Sequence, residues 1–358
     1  MAKFRKIGIL SSGGDAPGMN AAIRAVARKA LDEGIETVGI MKGYSGLINN
    51  EIIELTPRTV SNIISRGGTM LYSDRCPEFK TEEGMQKAIE TCRKNEIDAI
   101  VALGGDGTFR GATDLTNHGI PTIGIPCTID NDITATDYTI GFDSSMNTSL
   151  KMIDCLRDTC ISHARCNVVE VMGRDCGQIA LYTAIGSGAV AAVIPEIPFD
   201  EAELIERMKN LAAAGKRGFL VIVSEGVLTA DGRKYGEVLT DIIEHTTGIE
   251  TRFARLAHVV RGGSPTIRDR NNATRMGIKA VDCLLQGKSN VVMCKIAGEI
   301  VDVDINFALM TDRTYKKKLK PGDLDRFTPE QIAQMEAIAK MRNEEIVSFY
   351  KMVSETSK

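Results

Sequence analysis

Short apolar runs rich in β-branched residues alternate with amphipathic stretches along almost the whole chain. The apolar runs predict strands at Lys6–Leu10, Thr37–Met41, Ala99–Leu103, Thr122–Ile125, Cys166–Val171, Ala191–Ile194, Phe219–Val223, Leu256–Val260 and Val291–Lys295. The amphipathic stretches predict helices, among them Glu82–Lys94, Ser144–Ser162, Glu201–Ala214 and Asn271–Gln286. This alternation is typical of an α/β protein whose mainly parallel sheets are covered by helices on both faces.

One uncharged stretch, from Cys176 to Pro195, has the length of a membrane span. Gly-Ser-Gly interrupts the stretch, which argues against one continuous membrane-spanning helix. We therefore expect a helix, a turn and a buried strand.

The composition indicates a soluble globular protein with 358 residues, room for two domains and a net charge of −3. Neither this charge nor the absence of Trp suggests a nucleic acid or a membrane as partner. None of the nine cysteines forms a C-x-x-C pair, which favours reduced thiols and a cytoplasmic location. A zinc site built from Cys155, Cys160, His163 and Cys166 is the alternative interpretation.

Glycine-rich turns follow several of the predicted strands. In "GGDGT", Gly104–Thr108, the glycines allow close backbone approach, and the following helix offers unpaired N–H groups to a phosphate. Asp106 inside this phosphate cradle would repel the phosphate unless it held a divalent cation, for which Mg²⁺ is suited. "SSGGDAPGMN", which contains Gly14, predicts a second cradle.

The stretch "GIPCTIDNDI" places a hydroxyl, two carboxylates and an amide together after a buried strand. Asp130 and Asp132 repel each other unless positive charge lies between them. Phosphoryl transfer supplies that charge, since Mg²⁺ accompanies the donor and an Asp accepts the proton of the attacking hydroxyl. The loop therefore predicts a phosphotransferase site.

Arginines near predicted strand ends could bind the phosphate groups, because a guanidinium stays charged and binds phosphate bidentately. They are Arg75, Arg165, Arg174, Arg252 and Arg261. Each one alone could equally form a surface ion pair, and His258 alone could be an ordinary strand residue.

Seven motifs, taken together and in this order, resemble the ATP-dependent 6-phosphofructokinases of the bacterial type. They are "SGGDAPGMNAAIR", "RGGT", "GGDGT", "TIDNDI", "TDYTIGF", "VEVMGR" and "HVVRGGSP". The resemblance extends from about Lys6 to Met276 and implies the phosphofructokinase fold, with two Rossmann-like three-layer α/β/α domains. It also implies phosphorylation of fructose 6-phosphate at its 1-hydroxyl by Mg-ATP, the committed step of glycolysis.

The same resemblance implies roles for individual residues. Asp130 would be the base, Asp132 would help to position Mg²⁺ at Asp106, and Thr128 and Arg174 would stabilise the transferring phosphoryl group. The ATP site would comprise Gly14, Arg75, Cys76, Gly105, Asp106, Gly107 and Thr108. The sugar phosphate would contact Thr128, Asp130, Asp132, Arg165, Met172, Gly173, Arg174, Glu225, Arg252, His258 and Arg261.

The implied architecture is an oligomer, typically a tetramer, in which Arg165 and Arg252 reach into a neighbouring subunit. Residues 1–140 with about 256–305 would form the nucleotide-binding domain, and about 141–255 the sugar-phosphate domain. A C-terminal helix at about 328–353 would pack on the surface.

Four features of the sequence bear on how the phosphoryl donor is bound and which donor is used. Cys127 and Cys76 differ from residues common in the family, and the loop after Glu225 is longer. Pyrophosphate-using relatives usually carry Asp at position 107 and Lys at 127, so Gly107 favours ATP. A pyrophosphate-dependent enzyme and a catalytically silent regulatory subunit remain alternatives, although the latter would be expected to lose Asp130 or Arg174.

A second anion site is also implied by the resemblance. The matching basic residues are Arg24, Arg28, Arg157, Lys216 and Arg217. Val190 stands where regulated relatives place a Glu that binds the effector's Mg²⁺, and Pro57 replaces an arginine, with Arg58 beside it. These departures predict weak or absent activation by ADP.

Overall fold

The computed structural model of the chain describes residues 4–357. They form two compact units that each combine several segments of the chain. The first unit contains residues 4–129, 133–144 and 261–340, and the second contains 130–132, 145–260 and 341–357.

The first unit is built on a seven-stranded sheet. Its strands are β1 (Lys6–Ser11), β2 (Glu36–Ile40), β3 (Ile52–Glu54), β4 (Ala99–Gly104), β5 (Thr122–Pro126), β10 (Val291–Ile296) and β11 (Glu299–Asp304). The order is β11-β10-β5-β4-β1-β2-β3, and only the edge strands β3 and β11 are antiparallel to their neighbours. Every residue of β4 and β5 is buried, as expected for central strands covered on both faces.

The helices of this unit are α1 (Met19–Asp32), α2 (Tyr44–Ile48), α3 (Glu82–Lys94), α4 (Asp106–Asn117), α9 (Ile267–Leu285) and α10 (Ile305–Tyr315). Side-chain oxygens cap three of them, since Thr81, Thr266 and Asp304 accept hydrogen bonds from N–H groups in the first turn. The local sequence thus marks where α3, α9 and α10 begin.

The second unit is built on a four-stranded parallel sheet in the order β7-β8-β6-β9. Its strands are β6 (Cys166–Val171), β7 (Ala191–Val193), β8 (Phe219–Ser224) and β9 (Thr251–Arg255). Its helices are α6 (Gln178–Ser187), α7 (Glu201–Ala213) and α8 (Tyr235–Thr247), with most of α5 (Phe142–His163) and the end of α11 (Pro329–Thr356).

The uncharged stretch from Cys176 to Pro195 contains α6, a turn and the buried strand β7, so this prediction is confirmed. The helix ends where Gly188 takes a left-handed φ of 58°. Among residues 4–357, no helix is both long and apolar enough to cross a membrane.

The predicted strand Leu256–Val260 is wrong. The strand is β9, which ends at Arg255, and Ala257–Arg261 forms a 3₁₀ helix. β9 lies at the sheet edge and carries Arg252 and Arg255, so its burial pattern lacks the apolar run that marks a central strand. The apolar residues that follow it suggested a strand, although only Val260 of the 3₁₀ helix is fully buried.

Candidate active site

The two predicted phosphate cradles lie at the same edge of the first unit's sheet. β1 and β4 are parallel neighbours with Ser11 opposite Leu103, so the turns that follow them emerge side by side. The Ser12 N–H donates to the Leu103 carbonyl at 3.0 Å, and the Thr108 hydroxyl donates to the Ser12 carbonyl at 3.1 Å. These bonds join the two cradles directly.

The "GGDGT" cradle has room for a ligand. A Cβ atom at Gly104 would overlap the Thr108 hydroxyl and the Ser12 carbonyl, whereas one at Gly105 or Gly107 would meet open space. Gly104 therefore allows the two loops to pack, while the other two glycines leave backbone accessible at the start of α4.

Asp106 is the first residue of α4, and its side chain is partly exposed at 31%. Its Oδ2 atom lies 2.7 Å from a terminal guanidinium nitrogen of Arg110, one turn along the helix. The described part of the chain holds no cluster of three or more His, Cys, Asp or Glu suited to a metal. Mg²⁺ commonly needs only one or two carboxylates beside substrate phosphates, so Asp106 in an open cradle fits that cation.

Tyr44 is a residue of this site that the sequence analysis missed. Its hydroxyl donates to the Thr108 carbonyl at 2.6 Å, and its ring stacks on Phe79 with centroids 4.0 Å apart. Gly111 leaves the space that this ring occupies. Burial raises the pKa of Tyr44 well above its usual range, so the hydroxyl remains a donor. No local motif marks Tyr44, because its partners are distant in sequence.

The segment that carries Arg75 and Cys76 is fastened beside the second cradle, "SSGGDAPGMN". Asn20 donates to the carbonyls of Arg66 and Gly67 at 3.0 and 3.1 Å, and accepts from the Met70 N–H at 2.7 Å. Ser73 donates from its hydroxyl to the Gly13 carbonyl. These bonds bring the segment next to the turn containing Gly14. Within it, Arg75 is exposed and Cys76 is half-buried.

Arg261, which the resemblance linked to the sugar phosphate, belongs to the first unit and covers the second cradle. Its Nη1 donates to the Asp15 carbonyl at 3.0 Å, and its side chain is only 13% exposed. A Cβ atom at Gly14 would overlap this guanidinium. Gly14 is therefore needed for the close approach of Arg261.

The start of the acid-rich loop is anchored to the "GGDGT" turn. The Cys127 N–H donates to the Gly104 carbonyl at 2.9 Å, and the Thr139 hydroxyl donates to the Thr128 carbonyl at 2.7 Å. Cys127 is 1% exposed, and burial raises the pKa of its thiol well above the usual range. Its side chain is therefore a core residue.

Asp130 and Arg174 are adjacent within the second unit. The Asp130 carboxylate is 2% exposed, and its Oδ2 lies 3.5 Å from Nε of Arg174, whose side chain is 56% exposed. The next residue, Asn131, has a left-handed φ of 51° and donates to Gln178 at 2.6 Å. Asp132 follows and is half-buried. The turn thus holds a buried carboxylate beside an exposed cation.

The loop Met172–Arg174 is held by Glu225. One Glu225 carboxylate oxygen accepts the N–H groups of Gly173 and Arg174 at 3.3 and 3.1 Å. Arg174 has a φ of 51°, and a Cβ atom at Gly226 would overlap its carbonyl. Glu225, predicted as a sugar-phosphate residue, therefore also sets the conformation of the loop that carries Arg174.

The remaining predicted residues of the second unit lie around β9. Arg165 and Arg252 are brought together, because both pair with the carboxylate of Glu250. His258 is exposed in the 3₁₀ helix that follows β9.

The chain is similar to known proteins in sequence and in fold. The family model described as Phosphofructokinase matches residues 6–284. Proteins named ATP-dependent 6-phosphofructokinase from Clostridium botulinum and Clostridium acetobutylicum are each 50% identical over 316 residues, covering 88% of this chain and 97% of theirs.

Among solved structures, phosphofructokinase from Saccharomyces cerevisiae superposes with a TM-score of 0.86 at 28% identity. The match covers 99% of this chain and 50% of the yeast chain, so this chain spans about half of that longer protein. A pyrophosphate-dependent phosphofructokinase from Marinobacter aquaeolei shares the fold, with a TM-score of 0.74 at 22% identity over 84% of this chain and 83% of that one. The family match over most of the chain and the half-identical relatives lead to one conclusion: the chain belongs to the phosphofructokinase family.

Proposed function

We propose that this chain transfers the γ-phosphoryl group of ATP to the 1-hydroxyl of fructose 6-phosphate, giving fructose 1,6-bisphosphate and ADP. The names of relatives that are 50% identical to it support both this reaction and ATP as the donor. The observation that carries the chemistry is the buried Asp130 carboxylate beside the exposed guanidinium of Arg174. This pair offers a base for the sugar hydroxyl and a cation for the group in transfer.

In the proposed reaction Asp130 accepts the proton of the 1-hydroxyl as that oxygen attacks the γ-phosphorus. Arg174 and Thr128 donate hydrogen bonds to the transferring phosphoryl oxygens, whose charge must be balanced throughout. Glu225 keeps the Arg174 loop in the conformation that this role requires.

The first unit is proposed to bind ATP. Gly14, Arg75, Cys76 and the run Gly105–Thr108 would contact the nucleotide, since the glycines leave open backbone at a helix start. Mg²⁺, held by Asp106 together with phosphate oxygens, would neutralise phosphate charge when bound. In this structure the guanidinium of Arg110 forms an ion pair with Asp106 and balances its charge. Asp132 would help to position the metal.

The second unit is proposed to bind the sugar phosphate through residues that precede, belong to or follow the strands of its sheet. They are Arg165, Met172, Gly173, Arg174, Glu225, Arg252 and His258. Arg261 of the first unit is a further proposed sugar-phosphate residue. The active form is proposed to be a cytoplasmic homotetramer in which Arg165 and Arg252 serve a neighbouring subunit's site.

The test is an assay of the chain alone with ATP, fructose 6-phosphate and Mg²⁺, following ADP and fructose 1,6-bisphosphate together. We expect both products in equal amounts and no ADP when the sugar phosphate is omitted. Turnover only with pyrophosphate would instead support the pyrophosphate-dependent alternative. Nucleotide binding without turnover would support a silent regulatory subunit.

A further inference from the structure

Three charged side chains meet at the edge of the second unit's sheet: Arg165 and Glu250 directly precede β6 and β9, and Arg252 lies in β9. β9 pairs in parallel with β6, with Cys166 opposite Thr251. The Cys166 N–H also donates to the Glu250 carbonyl at 2.9 Å, which places Arg165 beside Glu250. Side chains two residues apart on an extended strand share a face, so Glu250 and Arg252 project together.

Both oxygens of the Glu250 carboxylate are engaged. Arg165 donates from Nε to Oε2 at 2.6 Å, and Arg252 donates from Nη2 to Oε1. The hydrogen bond from Arg165, with the charges of both arginines, lowers the pKa of Glu250 below its usual range. Glu250 is therefore ionised at neutral pH and bridges the two cations.

The bridge leaves much of both guanidinium groups available. A guanidinium carries several N–H donors in a planar fork, and Glu250 uses one from each arginine. Arg252 uses one more, on the Thr251 carbonyl at 3.3 Å. The side chains of Arg165 and Arg252 are 30% and 57% exposed, so their free donors can reach a ligand.

Without Glu250 the two guanidinium groups would repel each other, and each long side chain would sample many rotamers. Phosphate binding would then have to order both side chains, which costs free energy. The ion pairs with Glu250 already order them, so binding costs less. Glu250 also adds one negative charge near an anionic ligand. Removing Glu250 would therefore lower the affinity for phosphate through the lost ordering and raise it through the lost repulsion.

We propose that Glu250 is a positioning residue that holds Arg165 and Arg252 together as a single receptor for the phosphate of the sugar substrate. This inference rests on the proposed function, because it takes the two arginines as sugar-phosphate residues. A purely structural interpretation also exists, since charged side chains on an edge strand discourage pairing with other sheets. That role would not change substrate affinity selectively.

The test compares Glu250→Ala and Glu250→Gln with the parent chain in steady-state assays that vary each substrate. Because exposed ion pairs are weak, we expect a rise of about two- to five-fold in the KM for fructose 6-phosphate. The kcat and the KM for ATP should stay unchanged, as for the loss of an interaction that is equally strong in the ground state and the transition state. Calorimetric titration with fructose 6-phosphate should show the same loss of affinity.

Glu299→Gln is the matched control, since it removes an equal charge from an exposed pair with Arg275 on the other unit. It should leave every parameter at the parent value. Glu250→Ala should also add little to Arg252→Ala, because Glu250 acts through the arginines. An unchanged or lower KM for fructose 6-phosphate in both Glu250 variants would overturn the inference.

Failure of the proposed function would look different. If Arg165→Ala and Arg252→Ala both left the KM for fructose 6-phosphate unchanged, the arginines would not bind the sugar phosphate, whatever Glu250 did. If those variants raised that KM while the Glu250 variants did not, only the positioning role would be lost.

Discussion

At the scale of single residues, burial decides what Asp130 can do. A carboxylate that is 2% exposed is shielded from bulk water, and the guanidinium of Arg174 lies 3.5 Å from it. Such a group can receive a proton from a bound hydroxyl without competition from solvent. The exposed Arg174 side chain, by contrast, remains free to meet an anionic ligand.

We predict that Asp130→Ser lowers kcat by about 10²–10⁴-fold or more, because a positioned base acts mainly in the transition state. The KM for fructose 6-phosphate should change little, so kcat and kcat/KM should fall together. Initial-rate assays over both substrates measure this. A variant with near-normal kcat would refute the base role.

Gly107 makes a second prediction at this scale. The space around it is open, so an added side chain fits without a backbone change but points where a phosphate would lie. ATP should be strongly preferred to pyrophosphate, and Gly107→Asp should weaken ATP use by crowding and charge. Gly107→Asn adds a side chain of similar size without the charge, so it separates the effect of crowding from that of charge repulsion. Faster turnover of the parent chain with pyrophosphate would contradict the prediction.

At the scale of elements, α6 depends on a distant carboxylate. Its N-cap is Gly177, which has no side chain to cap the helix, and Glu196 accepts the Gly177 N–H at 2.8 Å instead. Burial raises the pKa of Glu196 above its usual value of 4.5. The helix start is thus held by a carboxyl group that takes up a proton more readily in the folded chain than in the unfolded chain.

This arrangement predicts a pH dependence of stability. The unfolded chain releases the Glu196 proton near pH 4.5 and the folded chain at higher pH, so ionisation destabilises the fold as pH rises through that interval. Glu196→Gln keeps an acceptor for Gly177 and removes the titration. Its unfolding temperature relative to the parent should therefore rise above pH 4.5 and then level off. A difference that is constant with pH would argue against this role.

At the scale of the whole molecule, the proposed tetramer determines where Arg252 acts. We predict that Arg252→Ala raises the KM for fructose 6-phosphate far more than that for ATP. A lost charged hydrogen bond costs on the order of 1.5–3 kcal/mol, so the rise should be about ten-fold or more. Mixing this variant with Asp130→Ser should restore some activity through hybrid oligomers. No recovery despite proven subunit exchange would exclude shared sites.

Regulation also belongs to this scale. The second unit contains a cavity of about 260 Å³ whose lining includes Arg157, Lys216 and Arg217, three of the predicted basic residues. Val190 has no carboxylate that could bind a metal. Its side chain is fully buried, and its carbonyl accepts a hydrogen bond from Arg207 at 3.0 Å.

We therefore predict little or no activation by ADP. Fructose 6-phosphate saturation curves with and without millimolar ADP, at fixed ATP and free Mg²⁺, measure it. A large leftward shift abolished by Arg24→Ala would show that the missing carboxylate does not matter. A large shift that survives Arg24→Ala would place activation elsewhere.

The sequence alone determined the α/β class, most of the strands and the glycine-rich turns that we predict to be phosphate cradles. These are local features, since a strand, a glycine turn and a helix start are encoded within about a dozen neighbouring residues. The same locality explains the error at Leu256–Val260, because apolar character does not reveal whether a segment finds a pairing partner. β9 is a strand because it pairs with β6, and its own sequence is that of an exposed edge.

Only the tertiary structure decided which distant groups meet. Glu225 binds the Arg174 loop, Tyr44 binds the Thr108 carbonyl, and Glu250 joins Arg165 to Arg252. Each contact spans a separation that no motif covers, and each depends on strand order and register. Pairing partners set register, so a one-residue slip of β9 would turn Glu250 and Arg252 to the opposite face. The chain's motifs thus carry the reactive groups, and the packing of its sheets sets their geometry.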